Sequence, residues 1–185
     1  MNPILFDFPD VIESERLIIR GLRPNDGVLL DEAIRESYDQ LRPWMRWARH
    51  PPTRAETEAY CRQANADFIR RESLGMILLL KNDGVCLGGS GLHNIDWAIP
   101  KFEIGYWLRT SYVGQGYATE AVNALTAFAF DALNARRLEI RADDRNVRSW
   151  RVAERCGFAL EGILRQCELD NDGGLRDMRI YAKVR

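Results

Sequence analysis

The segment Glu103 to Ala121 constrains this chain more than any other. A strand pattern, Lys101 to Leu108, meets an apolar helix pattern beginning at Tyr117 through the turn Gly114-Gln115-Gly116. Alternation sends Glu103, Gly105 and Trp107 to one face of the strand and Phe102, Ile104 and Tyr106 to the other. The glycines leave backbone N–H groups bare where a helix begins. Orphan donors and the helix dipole both attract negative charge there, so a phosphate-bearing ligand is expected.

Hairpin signals surround this segment. Asn82-Asp83-Gly84 separates the strand Gly75 to Lys81 from Val85 to Leu92, and Asn171-Asp172-Gly173-Gly174 separates Phe158 to Glu168 from Leu175 to Val184. The helix Tyr117 to Leu133 lies between strands 102–108 and 138–142 and permits a parallel crossover. Upstream, Arg16 to Leu22 alternates as a strand. Pro24-Asn25-Asp26 caps a helix with Leu29, Leu30, Ala33 and Ile34 on its apolar face. Thr53-Arg54-Ala55-Glu56 has capping-box spacing, followed by Tyr60, Ala64 and Phe68 at helical intervals. Asn146 caps a short helix that ends at Cys156 and stops at Gly157. Residues 1–13 read as a loose, acidic, proline-marked lead-in. The expected class is α/β (α+β), with a mixed, mostly antiparallel sheet of about seven strands flanked by helices. A length of 185 residues suits one domain spanning 1–185.

Composition removes several functions. The net charge of -1 offers no basic field for nucleic acid. The longest apolar run, Met76 to Leu80, is too short to span a bilayer, and no signal-like leader is seen. Cys61, Cys86, Cys156 and Cys167 form no C-x-x-C pair, and with two histidines no metal site is expected. A reduced, cytoplasmic protein with neither membrane nor nucleic-acid partner is the expectation. Arg136, Arg137, Arg141, Arg145, Arg148, Arg151 and Arg155 form a basic stretch. It reads as a solvated face paired with Asp143, Asp144 and Glu154, or as a source of one phosphate-binding arginine.

The phosphate ligand is narrowed by what the turn lacks. No lysine follows Gly116, so a P-loop is unsupported. Thr119 replaces the third glycine of a dinucleotide fingerprint, and residues 109–113 separate strand from turn. No G-x-S-x-G elbow surrounds Ser149.

The segment closely resembles motif A of the GNAT family of N-acetyltransferases, whose pattern Arg/Gln-x-x-Gly-x-Gly/Ala falls on Val113 to Ala118. Gly116 and Ala118 fit, whereas Val113 stands where the family carries arginine or glutamine. Asn146-Val147-Arg148-Ser149 and Cys156-Gly157-Phe158 with Glu161-Gly162 resemble the N-x-x-S … G-F-x-x-E-G segment of its ribosomal-protein N-terminal acetyltransferase (RimJ/RimL-like) group. Leu41-Arg42-Pro43-Trp44-Met45-Arg46-Trp47-Ala48 is also typical of that group. The likeness runs in collinear order over roughly residues 14–185.

The resemblance implies an acetyl-CoA-dependent N-acetyltransferase of GNAT-like fold, with cofactor held where strands 102–108 and 138–142 splay. Backbone amides of Gly114, Gln115, Gly116, Tyr117, Ala118 and Thr119, with Val113 at the turn, would hold the pyrophosphate. The backbone of Trp107 and Leu108 would pair with the pantetheine arm, and an N–H near Trp107 would polarise the thioester carbonyl. Glu103 is the candidate base, because an amine attacks only after losing its proton. Ser149 would contact the cofactor and protonate the leaving thiolate. Asn146 either binds the cofactor arm or only caps its helix. Trp44 and Trp47 either wall the acceptor pocket or cover one end of the core. His93 either meets the acceptor or is a surface residue. The implied acceptor is a protein N-terminal α-amino group, by direct transfer in a ternary complex. A small amine, or a non-catalytic acyl-CoA sensor, is the alternative. A homodimer is compatible with the family, although no exposed apolar stripe marks an interface.

Overall fold

The computed structural model describes residues 2–185. Eight strands form one sheet: β1 (Val11–Glu13), β2 (Leu17–Gly21), β3 (Leu74–Leu80), β4 (Cys86–Asp96), β5 (Lys101–Leu108), β6 (Arg137–Asp143), β7 (Ala159–Leu169) and β8 (Leu175–Val184). Their order is β1-β2-β3-β4-β5-β6-β8-β7. Four α-helices accompany them: α1 (Gly27–Leu41), α2 (Arg54–Arg70), α3 (Tyr117–Asp131) and α4 (Val147–Arg155). Each neighbouring pair of strands is antiparallel except β5 and β6. No helix among the described residues is long and apolar enough to cross a membrane.

Strand alternation sorts the apolar side chains into two layers. Leu17, Ile19, Met76, Leu78, Phe102 and Ile104 join the larger core with Ala121, Val122 and Leu125 of α3 and Val152 and Ala153 of α4. Ile77 and Leu79 join a second core with Leu30, Ala33 and Ile34 of α1 and Cys61 and Ala64 of α2. Residues 74–79 are therefore buried on both faces, which is why the run Met76 to Leu80 shows no polar alternation.

The parallel pairing of β5 with β6 covers only Lys101↔Arg137, Phe102↔Leu138 and Glu103↔Glu139. Beyond it, Ile104 to Leu108 pair with β4 alone, and Ile140 to Asp143 pair with β8 alone. The two strands splay, and the mouth of the V opens toward the N-terminus of α3.

Four expectations change. The sheet has eight strands because β1 forms inside the stretch expected to be a loose lead-in. Phe6, Phe8 and Ile12 recur at even spacing and pack on the larger core, with the Phe8 ring 5.7 Å from Phe128 and Arg71 4.1 Å above Phe8. Burial of three apolar side chains outweighs the local turn signals. Met1, also in that stretch, lies outside the described residues. Asp26 precedes α1 but makes no side-chain cap. Its carboxylate takes both arms of Arg20, at 2.6 and 2.7 Å, and the N–H of Arg23. Glu58 of α2 accepts the N–H groups of Asn25 and Gly27 in its place. Leu29, expected on the apolar face, is exposed. On α2 the capping box forms with both bonds present, but Tyr60 is exposed while Ala64 and Phe68 are buried.

Because Phe8 is packed into the core edge, Phe8→Ala should lower the unfolding free energy by about 1.5 kcal/mol or more in urea titration. A change within about 0.5 kcal/mol, as at an unpacked surface position, would show that the N-terminal segment does not contribute.

Candidate active site

The end of β5 carries Tyr106, Trp107 and Leu108 to the edge of the splay. Trp107 lies over Gly89 of β4, where even a β-carbon would come within 2.7 Å of the indole nitrogen. The loop that follows is tied down from α1. Glu36 accepts from the Arg109 guanidinium and from the N–H of Ser111, and Ser37 Oγ accepts the N–H of Thr110 at 2.9 Å. Those bonds from Arg109 and Ser111 hold the Glu36 carboxyl below the usual carboxylate range.

The turn itself uses left-handed backbone, with φ of 84° at Gly114 and 87° at Gly116. A side chain at Gly114 would meet nothing within 4 Å, so the space above it is open. Among the described residues, the N–H groups of residues 114–119 find no protein acceptor, and the first helical bond comes from Glu120 to the Gly116 carbonyl. Six consecutive bare donors, at the positive end of a 15-residue helix, fit a pyrophosphate.

Arg16 and Glu120 brace this turn from behind. Glu120 accepts from the Ser14 hydroxyl, the Arg16 N–H and the Arg16 guanidinium, all at 2.7 Å. Arg16 also donates to the Gln115 carbonyl and stacks 4.2 Å over the Tyr117 ring. Burial pulls the Glu120 carboxyl upward, but the bonds from Arg16 and Ser14 outweigh it and leave its pKa lowered.

Across the gap, Asn146 Oδ1 accepts the Ser149 N–H at 3.2 Å, capping α4. The Tyr106 hydroxyl donates to the Ser149 carbonyl at 2.8 Å and accepts from Ser149 Oγ at 3.3 Å. Burial pushes the Tyr106 phenol up to about 12, so it remains a neutral bridge from β5 to α4.

A cleft of about 780 Å³ follows the splay, a size suited to a nucleotide-bearing ligand. Trp44, Trp107, Leu108, Val113, Gly114, Gly116, Ala118, Thr119, Asn146 and Ser149 all line it. Gln115 and Tyr117 do not, since their side chains turn away and only their backbone faces the turn. Trp47 is outside the lining and 45% exposed, with its ring 5.8 Å from Trp107. The segment carrying Trp44 is anchored by Asn171 of the β7–β8 turn, which donates to the carbonyls of Arg42 and Met45.

Glu103 and His93 sit apart from the lining, opposite each other on β5 and β4. Glu103 accepts from Asn94 Nδ2 at 2.8 Å and lies 3.5 Å from Arg141 Nε. Its place is four residues before Trp107, on the order of 13 Å along the strand. His93 Nδ1 is 3.0 Å from Ser73 Oγ, and burial lowers its pKa, which keeps the ring neutral near pH 7.

Sequence reading missed Tyr106, the Arg16–Glu120 brace and the cleft-lining Gln40, Leu41 and Met45, and it left open which arginines of the 136–155 stretch reach the cleft, where Arg148, Arg151 and Arg155 lie. Tyr106 alternates as a core residue, and nothing local announces its hydroxyl's partner. Arg16 and Glu120 are 104 positions apart.

Residues 16–159 match the family model for the acetyltransferase (GNAT) domain. The chain is 30% identical over 171 residues to the ribosomal-protein-serine acetyltransferase of Escherichia coli (strain K12), covering 92% of this chain and 94% of that one. The microcin C7 self-immunity acetyltransferase MccE, solved with acetyl-CoA and AMP, superimposes with a TM-score of 0.89 at 26% identity, covering 96% and 98% of the two chains. RimL, a ribosomal L7/L12 alpha-N-protein acetyltransferase solved with coenzyme A, superimposes with a TM-score of 0.84 at 26% identity, covering 94% and 97%.

The Glu120 brace has a pH signature. A lowered carboxylate pKa adds stability above the unfolded value of about 4.3, and that stability is lost as pH falls through the folded value. Glu120→Gln should therefore cost about 2 kcal/mol at pH 7, and the gap from wild type should shrink below about pH 4. Denaturant titrations at both pH values check this; a gap independent of pH would mean the charge contributes nothing.

Proposed function

This chain belongs to the GNAT acetyltransferases, and on that premise we propose that it acetylates the α-amino group of a protein N-terminus, by direct transfer in a ternary complex. Acetyl-CoA is the cosubstrate, and it supplies an activated acetyl thioester. The observation that carries the reading is the row of six bare amides at residues 114–119 beside an unzipped β5 edge. The amides bind the pyrophosphate. The edge of Trp107 and Leu108, unpaired on the β6 side, receives the pantetheine arm as an added strand. A backbone N–H near Trp107 points at the reacting carbonyl and favours the charge that develops there.

Direct transfer is supported by the thiols. Cys61, Cys86 and Cys156 are buried, with burial pushing Cys61 up to about 12 and Cys86 up to about 11, and none lines the cleft. The exposed Cys167 of β7 is outside the cleft lining too, so no thiol stands in the cleft to carry the acetyl group. Ser149 is bonded to Tyr106 rather than to a base, which suits a hydrogen-bond donor to the leaving sulfur and not a nucleophile. Glu103 takes the amine proton through water, since its distance along β5 rules out direct contact with a group at Trp107. Trp44 and Trp107 wall the acceptor end, Trp47 supports Trp107 from outside, and His93 borders the water path beside Glu103.

A protein acceptor is supported by the E. coli relative and RimL, both acetyltransferases of ribosomal proteins, which align over nearly the whole chain. A small-amine acceptor is the second reading, favoured by the aromatic corner of Trp44, Trp47 and Trp107.

CoA release measured over peptides with free N-termini and over small amines decides between them. Peptides should give a kcat/KM at least tenfold higher; a preference for the small amines would overturn the protein acceptor. Glu103→Gln should lower kcat by about a hundredfold near pH 7. The loss should narrow above pH 8, where an α-amine of pKa about 7.7–8.0 is already free. Equal rates at every pH would remove Glu103 from the mechanism.

A further inference from the structure

Arg136 aside, the structure divides the arginines of the basic stretch 136–155 into two groups of three. Arg137 is paired with Glu139 and Glu161, Arg141 with Glu139 and Glu103, and Arg145 with Asp143 and Asp170. Arg148, Arg151 and Arg155 have no carboxylate within 4 Å among the described residues, and all three line the cleft. The acids that the sequence offered them are engaged elsewhere: Asp144 holds Arg179, and Glu154 accepts the Tyr181 hydroxyl on the far side of α4. The spacing i, i+3, i+7 puts the three guanidinium groups along one face of the helix. Uncompensated cations in a row repel one another, so the stripe suits an anionic ligand.

We propose that Arg151 and Arg155 form a subsite for the 3′-phosphate of the CoA ribose, and that this enzyme selects CoA over its 3′-dephospho form. The inference rests on the cofactor cleft described above. Arg155 fixes the position: its Nε donates to Thr119 Oγ1 at 3.3 Å, which places the guanidinium beside the first turn of α3. Gly116, Thr119 and Arg155 also line a second groove, between the β1–β2 turn and α3, so Arg155 stands on the ridge where the two concavities meet. The amides of residues 114–119 are neutral donors matched to the two phosphates of the pyrophosphate. The third phosphate is a monoester, close to a dianion at neutral pH, and needs full charges. No lysine lines the cleft, and a guanidinium fork matches phosphate oxygens two at a time. Arg148, one turn nearer Ser149, lies along the path of the arm rather than at its nucleotide end.

Titration calorimetry with CoA and with 3′-dephospho-CoA tests the subsite without turnover. Wild-type protein should bind CoA at least tenfold more tightly than dephospho-CoA. The double variant Arg151→Gln/Arg155→Gln should lose most of that ratio, weakening toward CoA while its affinity for dephospho-CoA changes less than twofold. Arg136→Gln, outside the cleft lining, should keep the wild-type ratio and controls for net charge. Equal affinity of wild type for the two ligands, or equal weakening of both in the double variant, would overturn the subsite and leave the cleft reading standing. Failure of wild type to bind either ligand would overturn both.

Discussion

Three residue pairs hold β5 to β6, and the ladder stops at Glu103 and Glu139. Past that point each strand is hydrogen-bonded to a different antiparallel neighbour, and the twist of each pair draws them apart. Unpaired strand edges inside a protein demand partners. The phenol of Tyr106 supplies no strand bond; it reaches across the gap to the Ser149 carbonyl and ties β5 to the first turn of α4. The gap stays open as the cleft that Tyr106, Trp107, Leu108 and Ser149 line. The amide turn, the Ser149 hydroxyl and the β5 edge all owe their relative positions to that geometry.

Charge is placed with the same economy. The bare amides at residues 114–119 could not hold their geometry alone. Glu36 grips the loop before them, and Arg16 grips the turn and the first helical residues after it. Glu120, an acid in the first turn of α3, suits the helix dipole, and Arg16 neutralises it so that it does not repel an anion. Positive charge reaches the cleft from α4, through arginines that no carboxylate satisfies. The cleft thus carries neutral donors on one wall and cations on the other.

Much of this was readable from short-range pattern. The hairpin turns, the capping box of Thr53, the cap at Asn146 and the left-handed stop at Gly157 are local, each set by a few neighbouring residues. The Gly114–Gly116 turn is local in its left-handed backbone, although Arg16, from the far end of the chain, braces it. The misreadings with the largest structural consequence were long-range. β1 forms because Phe6 and Phe8 find a core built by residues 68–128. Asp26 abandons its cap because Arg20 approaches from β2, and Glu58 arrives from α2 to replace it. Trp44 and Trp47 have similar local surroundings, yet only Trp44 lines the cleft, because Asn171 from the far hairpin sets the path of the loop between them.

Sequence alone determined the class of ligand and the class of fold. A glycine turn between an apolar strand and an apolar helix exposes backbone donors whatever surrounds it, and hairpin signals on both sides force a mixed sheet. Tertiary structure decided which charges are free to act. Seven arginines between residues 136 and 155 look equivalent in the sequence. Only packing shows that three of them are paired with carboxylates and three face the cleft without one. A salt bridge depends on distances between segments that the local pattern does not encode, and an unpaired charge is visible only once every partner has been placed.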